Sequence, residues 1–223
     1  MKRTILFVVL FFIGQLVIAQ GTNPYSLKRL RFGFEPTVDF WLKAPSDIDL
    51  KLLQRGASFH LMYEQPIKES KFSLCGGLSV ASHNLYSNGR LKVNNEGNSY
   101  FLAIHDTIVY TKNKFSFTYL DIPVELKYKT NSHINFALGL RAGLMINDHT
   151  KYVGEDYLSG GTRDIKVKFA NNANIMNYRL GAYAVLGYRW ANVKFGYSFT
   201  KLFEKDKGPN MSPMTFGLLI RPY

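Results

Sequence analysis

The sequence predicts an all-β fold, an up-and-down antiparallel barrel of eight strands that crosses a membrane. Three observations lead to this prediction. The chain begins with a short apolar run of the kind that directs export, the segments after it alternate apolar and polar side chains, and every second connection between these segments is long. Transmembrane barrels combine these features because one face of each strand meets lipid, while short turns at one end alternate with long loops at the other.

The first 19 residues have the features of a cleavable signal peptide. Lys2 and Arg3 give a positive start, residues 5–18 are almost wholly apolar, and small residues precede a cleavage point after Ala19. A membrane-spanning helix needs roughly 17–25 apolar residues, so this run is too short for an uncleaved anchor. We therefore expect residues 1–19 to be removed and the mature chain to be exported.

Residues 20–223 are expected to form one barrel domain. In the clearest strand, the fourth, Ile122 and Val124 alternate with Asp121 and Glu125. A period of two is what a two-faced strand requires. In chain order, the eight predicted strands span residues 30–42, 57–64, 72–82, 115–129, 134–146, 178–189, 193–199 and 214–223. The first two residues of the apolar face of each strand are, in the same order, Leu30 and Phe32, Ala57 and Phe59, Phe72 and Leu74, Leu120 and Ile122, Ile134 and Phe136, Tyr178 and Leu180, Val193 and Phe195, and Met214 and Phe216.

Two alternatives stay open at this point. Residues 99–110 also resemble a strand, which either extends a hairpin above the membrane or brings the barrel to ten strands. A soluble carrier barrel would turn the apolar faces inward. The polar faces, however, mix both signs of charge with Gly and Ala, and this mixture suits the lumen of an eight-stranded barrel, which side chains just fill.

The connections alternate in length and set the expected orientation. The short ones are residues 65–70, 130–133 and 191–192, and the long ones are residues 44–55, 83–114, 147–173 and 204–212. Outer-membrane barrels keep their turns in the periplasm and their long loops outside. We therefore expect an outer-membrane location with both termini in the periplasm.

Composition narrows the partners. Aromatic residues make up 15% of the chain, as interfacial girdles would require, and the formal charge is +12, or +10 without Lys2 and Arg3. For an exported protein the nearby anionic partners are outer-membrane lipids and lipopolysaccharide. Nucleic acid is not expected, because no basic helix or nucleic-acid motif accompanies the charge. Cys75, the single cysteine, is expected to behave as a small buried apolar residue.

A charge network is predicted inside the barrel, because buried charges persist only when they are paired. We expect a salt bridge between Asp121 and Arg141, since a short turn that places Lys127 opposite Asn135 would put these two residues opposite each other. The predicted lumen network comprises Arg31, Glu35, Asp39, His60, Glu64, Asp121, Glu125, Lys127, Arg141, Arg179 and Arg189.

No catalytic residue, metal site or cofactor is predicted. His60 shares the polar face with Ser58 and Glu64, but a hydrogen-bonded residue that fills the lumen explains it more simply than a catalytic cluster does. The five histidines lack metal-ligand spacing, and no nucleophile-elbow motif is present. The acidic residues of the third long loop, Asp148, Glu155, Asp156 and Asp164, do not match the calcium-loop pattern.

Residues 117–129, FTYLDIPVELKYK, together with the Gly-Leu-Arg-Ala-Gly segment at 139–143, resemble the family of outer-membrane β-barrels that includes PorT. The resemblance implies a barrel in the outer membrane and, for PorT-like members, a role in type IX protein secretion. It carries over no functional residue. The terminal Tyr223 resembles the aromatic signal recognised by the outer-membrane insertion machinery, although Pro222 departs from the usual form.

The expected function is therefore that of an integral outer-membrane protein with a structural or accessory role, and with no enzymatic activity. Secretion-system proteins are then among its expected partners. The alternative is a binding module whose long loops contact lipopolysaccharide, a ligand or another protein. An enzyme assembled from residues on several strands is a third hypothesis. An open pore is disfavoured, since water-filled porins use about 16–18 strands.

Overall fold

A computed structural model describes residues 29–157 and 161–222. The predicted signal peptide and Tyr223 lie outside the described residues. Among those residues, no helix is long and apolar enough to cross a membrane. The strands are β1 (Leu30–Leu42), β2 (Gln54–Pro66), β3 (Phe72–Tyr86), β4 (Gly89–Val93), β5 (Ser99–Ala103), β6 (Tyr110–Lys129), β7 (Ile134–Asp156), β8 (Gly161–Ala170), β9 (Tyr178–Tyr188), β10 (Ala191–Ser198) and β11 (Ser212–Ile220).

Eight of these strands close into a ring in the order β1, β2, β3, β6, β7, β9, β10 and β11, and β11 pairs with β1. Each neighbouring pair in the ring is antiparallel. The predicted eight-stranded barrel is therefore confirmed. The ten-stranded alternative is wrong, because β4 and β5 pair with each other in a separate two-stranded sheet.

The apolar faces point outward, away from the lumen. On β6, Ile122 is 56% exposed and its neighbour Asp121 is 1% exposed. The same alternation runs along β7 and β10, where buried and exposed residues follow each other with a period of two. This arrangement excludes the soluble barrel with an apolar interior and gives the outer wall the apolar band that lipid requires.

The two ends of the barrel differ. At the short-turn end, residues 67–71, 130–133 and 189–190 connect neighbouring strands directly. At the opposite, long-loop end, β3, β6 and β7 continue past the rest of the ring, and β8 folds back along the last part of β7. Much of what the sequence indicated as loop is thus strand, because polar side chains on both faces hide the period-two pattern there.

The turn between β6 and β7 is centred one residue further along the chain than expected. Lys127 therefore lies opposite Ala137 rather than Asn135, so every partner on β7 is displaced by two residues. This shift moves Asp121 out of register with Arg141. The register that predicted the Asp121–Arg141 salt bridge was therefore wrong.

Two adjacent glycines of β3 provide a test of strand packing. A Cβ atom at Gly77 would lie against the carbonyl oxygen of Leu61 and 2.8 Å from the Cα atom of Met62, whereas at Gly76 the nearest atom would be 4.0 Å away. We predict that Gly77→Val destabilises the barrel by roughly 1–3 kcal/mol, as overpacking does. Heat-modifiable electrophoretic mobility across a urea series measures this change. Gly76→Val is the matched control, and equal losses in the two variants would contradict the prediction.

Candidate functional site

The polar faces of the strands meet in the lumen and fill it with paired charges. Among the predicted network residues, Glu35, Asp39, Asp121, Glu125 and Arg179 are each at most 2% exposed, and His60 and Arg141 are also buried. Glu64 and Lys127 are partly buried near the short-turn end, where Lys127 Nζ lies 3.0 Å and Arg31 Nε 3.4 Å from Glu64.

Glu35 joins three strands in the middle of the lumen. Lys194 Nζ donates a hydrogen bond to Glu35 Oε2 at 2.9 Å, and His60 Nε2 donates to the same oxygen at 2.7 Å. The ammonium group of Lys194 also lies 4.7 Å from the centre of the Tyr183 ring. One carboxylate therefore orients a cation and an imidazole, and neither is left without a partner in the interior.

Asp121 and Asp39 are linked through a cation and a histidine. Arg179 donates to both oxygens of Asp121 and, through Nη1, to His83 Nε2 at 2.6 Å. His83 Nδ1 donates to Asp39 at 2.9 Å, and Thr215 Oγ1 donates to the same carboxylate at 2.8 Å. Because His83 accepts at Nε2 and donates at Nδ1, its imidazole is the neutral Nδ1–H tautomer.

Glu125 closes the network on the side of β11. Both of its oxygens accept from Arg221, at 2.6 and 3.1 Å, and Tyr183 Oη donates to it at 3.1 Å. A two-pronged guanidinium–carboxylate pair of this kind has both geometric and electrostatic strength. It lies between the central network and the short-turn end of the lumen.

Arg141 faces this network without a direct partner at two of its nitrogens. Among the described residues, its Nε and one Nη form no hydrogen bond, although the side chain is buried. Its charge interacts with those of Asp121, Glu35 and Asp39. Four carboxylates of the central lumen face four cations, so the formal charges of these groups balance. The balanced groups are Glu35, Asp39, Asp121 and Glu125 against Arg141, Arg179, Lys194 and Arg221.

The placement of Arg189 inside the lumen was wrong. β9 ends at Tyr188, and Arg189 begins a two-residue turn with a φ of 53°, exposed and with its guanidinium 5.3 Å from the Tyr188 ring. The alternation that suggested an inward side chain does not continue through a turn. His83 and Arg221 were missed because each lies just past the end of a predicted apolar pattern.

An aromatic cap covers the lumen at the long-loop end. The Trp41 and Phe117 rings meet edge to face with centres 5.3 Å apart, and Phe101 packs in the same way on Phe203 at 6.0 Å. The side chains of the aromatic cap are Trp41, Ile48, Leu85, Phe101, Phe115, Phe117, Tyr119, Met145, Ile175, Leu202, Phe203 and Met211. Within the described residues, paired charges therefore fill the middle of the lumen, and packed apolar groups fill its long-loop end.

The hairpin formed by β4 and β5 is fixed over this cap. Asn113 Nδ2 on β6 donates to the carbonyl oxygens of Ser87 and Gly89, each at 2.8 Å. On the other side of the hairpin, the Ser99 amide donates to Lys207 O at 2.8 Å, and its hydroxyl donates to Ala173 O at 3.1 Å. The hairpin is therefore tied to two different parts of the long-loop end.

A cavity of about 350 Å³ lies between this hairpin and the sheet of β6, β7 and β8. Its walls include Phe101, Phe115 and Phe169, and Arg90 and Lys92 contribute positive charge. The Arg90 guanidinium stacks 3.6 Å from the centre of the Tyr157 ring, and its buried Nε has no partner among the described residues. Binding sites for small molecules have this composition, with apolar walls and a few placed polar groups.

No group of three or more His, Cys, Asp or Glu side chains in the described part of the chain is arranged to hold a metal ion. In the third long loop, Asp148 instead accepts from the amide nitrogens of Asn172 at 2.7 and 2.8 Å. Glu155 accepts from the Val109 amide at 2.9 Å. These acidic residues hold loop structure together.

Residues 19–204 match the family of outer membrane protein beta-barrel domains. The chain belongs to this family. It is therefore an outer-membrane β-barrel protein, although the match does not distinguish PorT-like members from the rest of the family. No characterised protein sequence matches the chain.

Two solved structures have a similar arrangement of strands. Both are of Ail, the attachment invasion locus protein of Yersinia pestis, one alone and one in complex with the heparin analogue sucrose octasulfate. Each Ail structure is 13% identical in sequence to this outer-membrane barrel, and the TM-score is 0.40. The aligned region covers 86% of the present chain and 97% of the Ail chain. Likeness at this level carries no argument about function.

The lumen pairs can be tested by stability. Asp121→Asn leaves the buried Arg179 without its counter-charge, and removal of one partner of a buried pair costs about 3–5 kcal/mol. Arg31→Gln near the short-turn end should cost less than about 1 kcal/mol, because Arg31 is partly exposed and Glu64 retains Lys127. Urea unfolding followed by heat-modifiable mobility gives both values. Similar losses in the two variants would contradict the assigned network.

The filled lumen also predicts an electrical result. In a planar lipid bilayer, the purified barrel should show no large steady conductance, because paired side chains and the aromatic cap occupy the path between the two ends. A 16–18-stranded porin provides the positive control. A large ohmic current from the protein itself would show that the lumen opens.

Proposed function

We propose that this outer-membrane barrel is a surface-binding protein in which the barrel anchors a ligand site and does not transport. One observation carries the proposal. Balanced charges fill the lumen, whereas the long-loop end forms an anchored hairpin over a cavity of about 350 Å³. Outer-membrane barrels place their long loops outside the cell, so this cavity would face the medium.

The cavity indicates the chemical class of ligand. Its volume suits a small molecule or the end of a longer chain, and its aromatic walls suit an apolar or flat face. Arg90 and Lys92 supply positive charge, and the buried Nε of Arg90 has no hydrogen-bond partner among the described residues. The ligand we propose is an organic anion with an apolar or aromatic body.

An enzymatic role is not part of the proposal. It would have to use His60, whose side chain is 4% exposed and hydrogen-bonded to Glu35 inside the lumen. A substrate would have to pass the aromatic cap or the Glu125–Arg221 pair to reach it. His60→Gln should therefore alter stability and leave ligand binding unchanged.

The accessory role in type IX secretion is a competing function, which rests on the resemblance of residues 117–129 and 139–143 to PorT-like barrels. Mass spectrometry of secreted and surface-attached proteins in a deletion strain separates the two functions. Retention of many cargo proteins in the periplasm would favour secretion and count against the binding proposal. An unchanged set of secreted proteins is the result that we expect.

Arg90 tests the cavity directly. We predict that Arg90→Ala weakens binding of the aromatic anion 1-naphthalenesulfonate at least fivefold, because both the cation and its stacking surface are lost. Saturation-transfer NMR on the barrel in nanodiscs measures this binding. Arg163→Ala removes the same charge from an exposed position on β8 and should leave the affinity unchanged. Equal affinities of the wild type and Arg90→Ala would exclude the cavity as the site.

A further inference from the structure

Three lysines lie side by side on neighbouring strands at the long-loop end. Lys114 of β6 is directly opposite Lys151 of β7, and Lys151 is directly opposite Lys168 of β8. Residues in direct register share one face of a sheet, so these three ammonium groups form a row across it. We call Lys114, Lys151 and Lys168 the lysine row.

More positive charge surrounds the lysine row on the same face. Lys112 of β6 and Lys166 of β8 both pair with Val153 of β7. Val153 is two residues beyond Lys151, so these two lysines lie on the same face as the row and further from the membrane-spanning part of the barrel. Arg55 of β2 lies close to the β3 side of the lysine row. Its guanidinium is 5.9 Å from the centre of the Tyr86 ring, and the Lys114 ammonium is 5.7 Å from the same point.

Like charges directly opposite each other on a sheet repel and destabilise it. Within the described residues, none of the lysines at 112, 114, 151, 166 and 168 forms an ion pair, and Lys114 donates only to the neutral Asn84, at 2.7 Å. The acidic residues on this face, Glu155 and Asp164, oppose each other beyond the outer lysines. Across the described part of the chain, this concentrated positive charge is therefore not paired with a carboxylate.

Nearby titratable groups respond to this charge. Burial and the lysines at 112, 151 and 168 lower the pKa of Lys114. Burial, Lys168, Lys114 and Lys151 lower the pKa of His149, against the opposing effect of Asp148. An anion bound on this face would relieve the same repulsion.

The row's side chains point outward, over the lipid, because Lys114 and Lys151 alternate along their strands with Asn113, Phe115, Thr150 and Tyr152 on the cavity side. Lys114 and Lys151 nevertheless also border the cavity, whose wall their strands form.

Along β6 the outward side chains run from the apolar Ile122 and Leu120 to Lys114. Along β7 they run from Leu144 and Ile146 to Lys151, because a β-bulge leaves Ile146 unpaired and shifts the alternation by one residue. Lys151 follows Ile146 by five residues, which is about 17 Å of strand. At the usual tilt of roughly 35–45° this is about 13 Å of height above the apolar band, and a lysine side chain leaning back towards the bilayer reaches its polar layer.

We propose that the lysine row, with Lys112, Lys166 and Arg55, binds the phosphate groups of the glycolipid that forms the outer leaflet. The row lies on the opposite face of the sheet from the cavity under the β4–β5 hairpin, and the proposal holds whether or not that cavity takes a ligand. Its occupant is a lipid because the row stands just above the apolar band and faces the surrounding leaflet. The bound glycolipid would neutralise the row and fix the height of the barrel in the membrane.

The test compares a triple variant with a matched control. Lys114→Gln, Lys151→Gln and Lys168→Gln together remove the row, and Lys68→Gln, Lys71→Gln and Lys205→Gln remove the same charge from exposed positions outside it. Native mass spectrometry of the full-length barrel in detergent counts bound lipid A in its phosphorylated and dephosphorylated forms. Heat-modifiable mobility shows that each variant is folded, and the row variant should be no less stable than the wild type, since repulsion is removed.

Each lysine near an anionic surface contributes about fivefold to affinity at low salt. We expect the wild type and the control to prefer phosphorylated lipid A, and the row variant to lose at least tenfold in affinity for it. An unchanged affinity in the row variant would overturn the proposal, as would equal binding of the dephosphorylated lipid by the wild type. Inositol hexakisphosphate that bound the row as tightly as the lipid would also overturn it, in favour of a soluble anion.

Discussion

An eight-stranded barrel has an interior that side chains must fill, and in this protein most of the side chains that fill its middle are polar or charged. Charges taken out of water destabilise a protein unless they find opposite charges and hydrogen bonds. Hydrogen-bonded partners meet this requirement for the four carboxylates of the central lumen and for Arg179, Lys194 and Arg221, and Arg179 and Glu35 each link more than one strand. Arg141 has opposite charges nearby, but two of its nitrogens form no hydrogen bond within the described residues. This pairing joins side chains from different strands across the lumen and so supports the register in which those strands meet.

Because paired charges fill the described lumen, the proposed binding surface is at the long-loop end. There β3, β6 and β7 continue as strands, the β4–β5 hairpin is hydrogen-bonded to both sides, and the aromatic cap lies beneath. An anchored sheet holds side chains in place better than long flexible loops, because little conformational freedom is left for binding to remove. The same sheet has two chemically different faces, with the aromatic cavity on the inside and the lysine row on the outside.

Those two faces would let one small barrel bind two different partners. In the proposed roles, the cavity takes an organic anion from the medium and the lysine row takes the phosphates of lipids in the surrounding leaflet. Both use positive charge, which accounts for part of the basic composition. They differ in geometry, since Arg90 stacks on an aromatic ring in a concave site and the lysines stand in a flat row.

The sequence by itself determined the number of ring strands and the face that each turns to lipid, because a period of two is a local property that a barrel enforces along its whole length. It also placed Asp121, Glu125 and Arg179 inside. Only the tertiary structure decided the partners, since a two-residue change in a turn replaced Arg141 with Arg179 beside Asp121, and β11 brought Arg221 to Glu125. The lysine row was equally hidden, because Lys114, Lys151 and Lys168 are distant in sequence and become neighbours only when β8 folds back along β7.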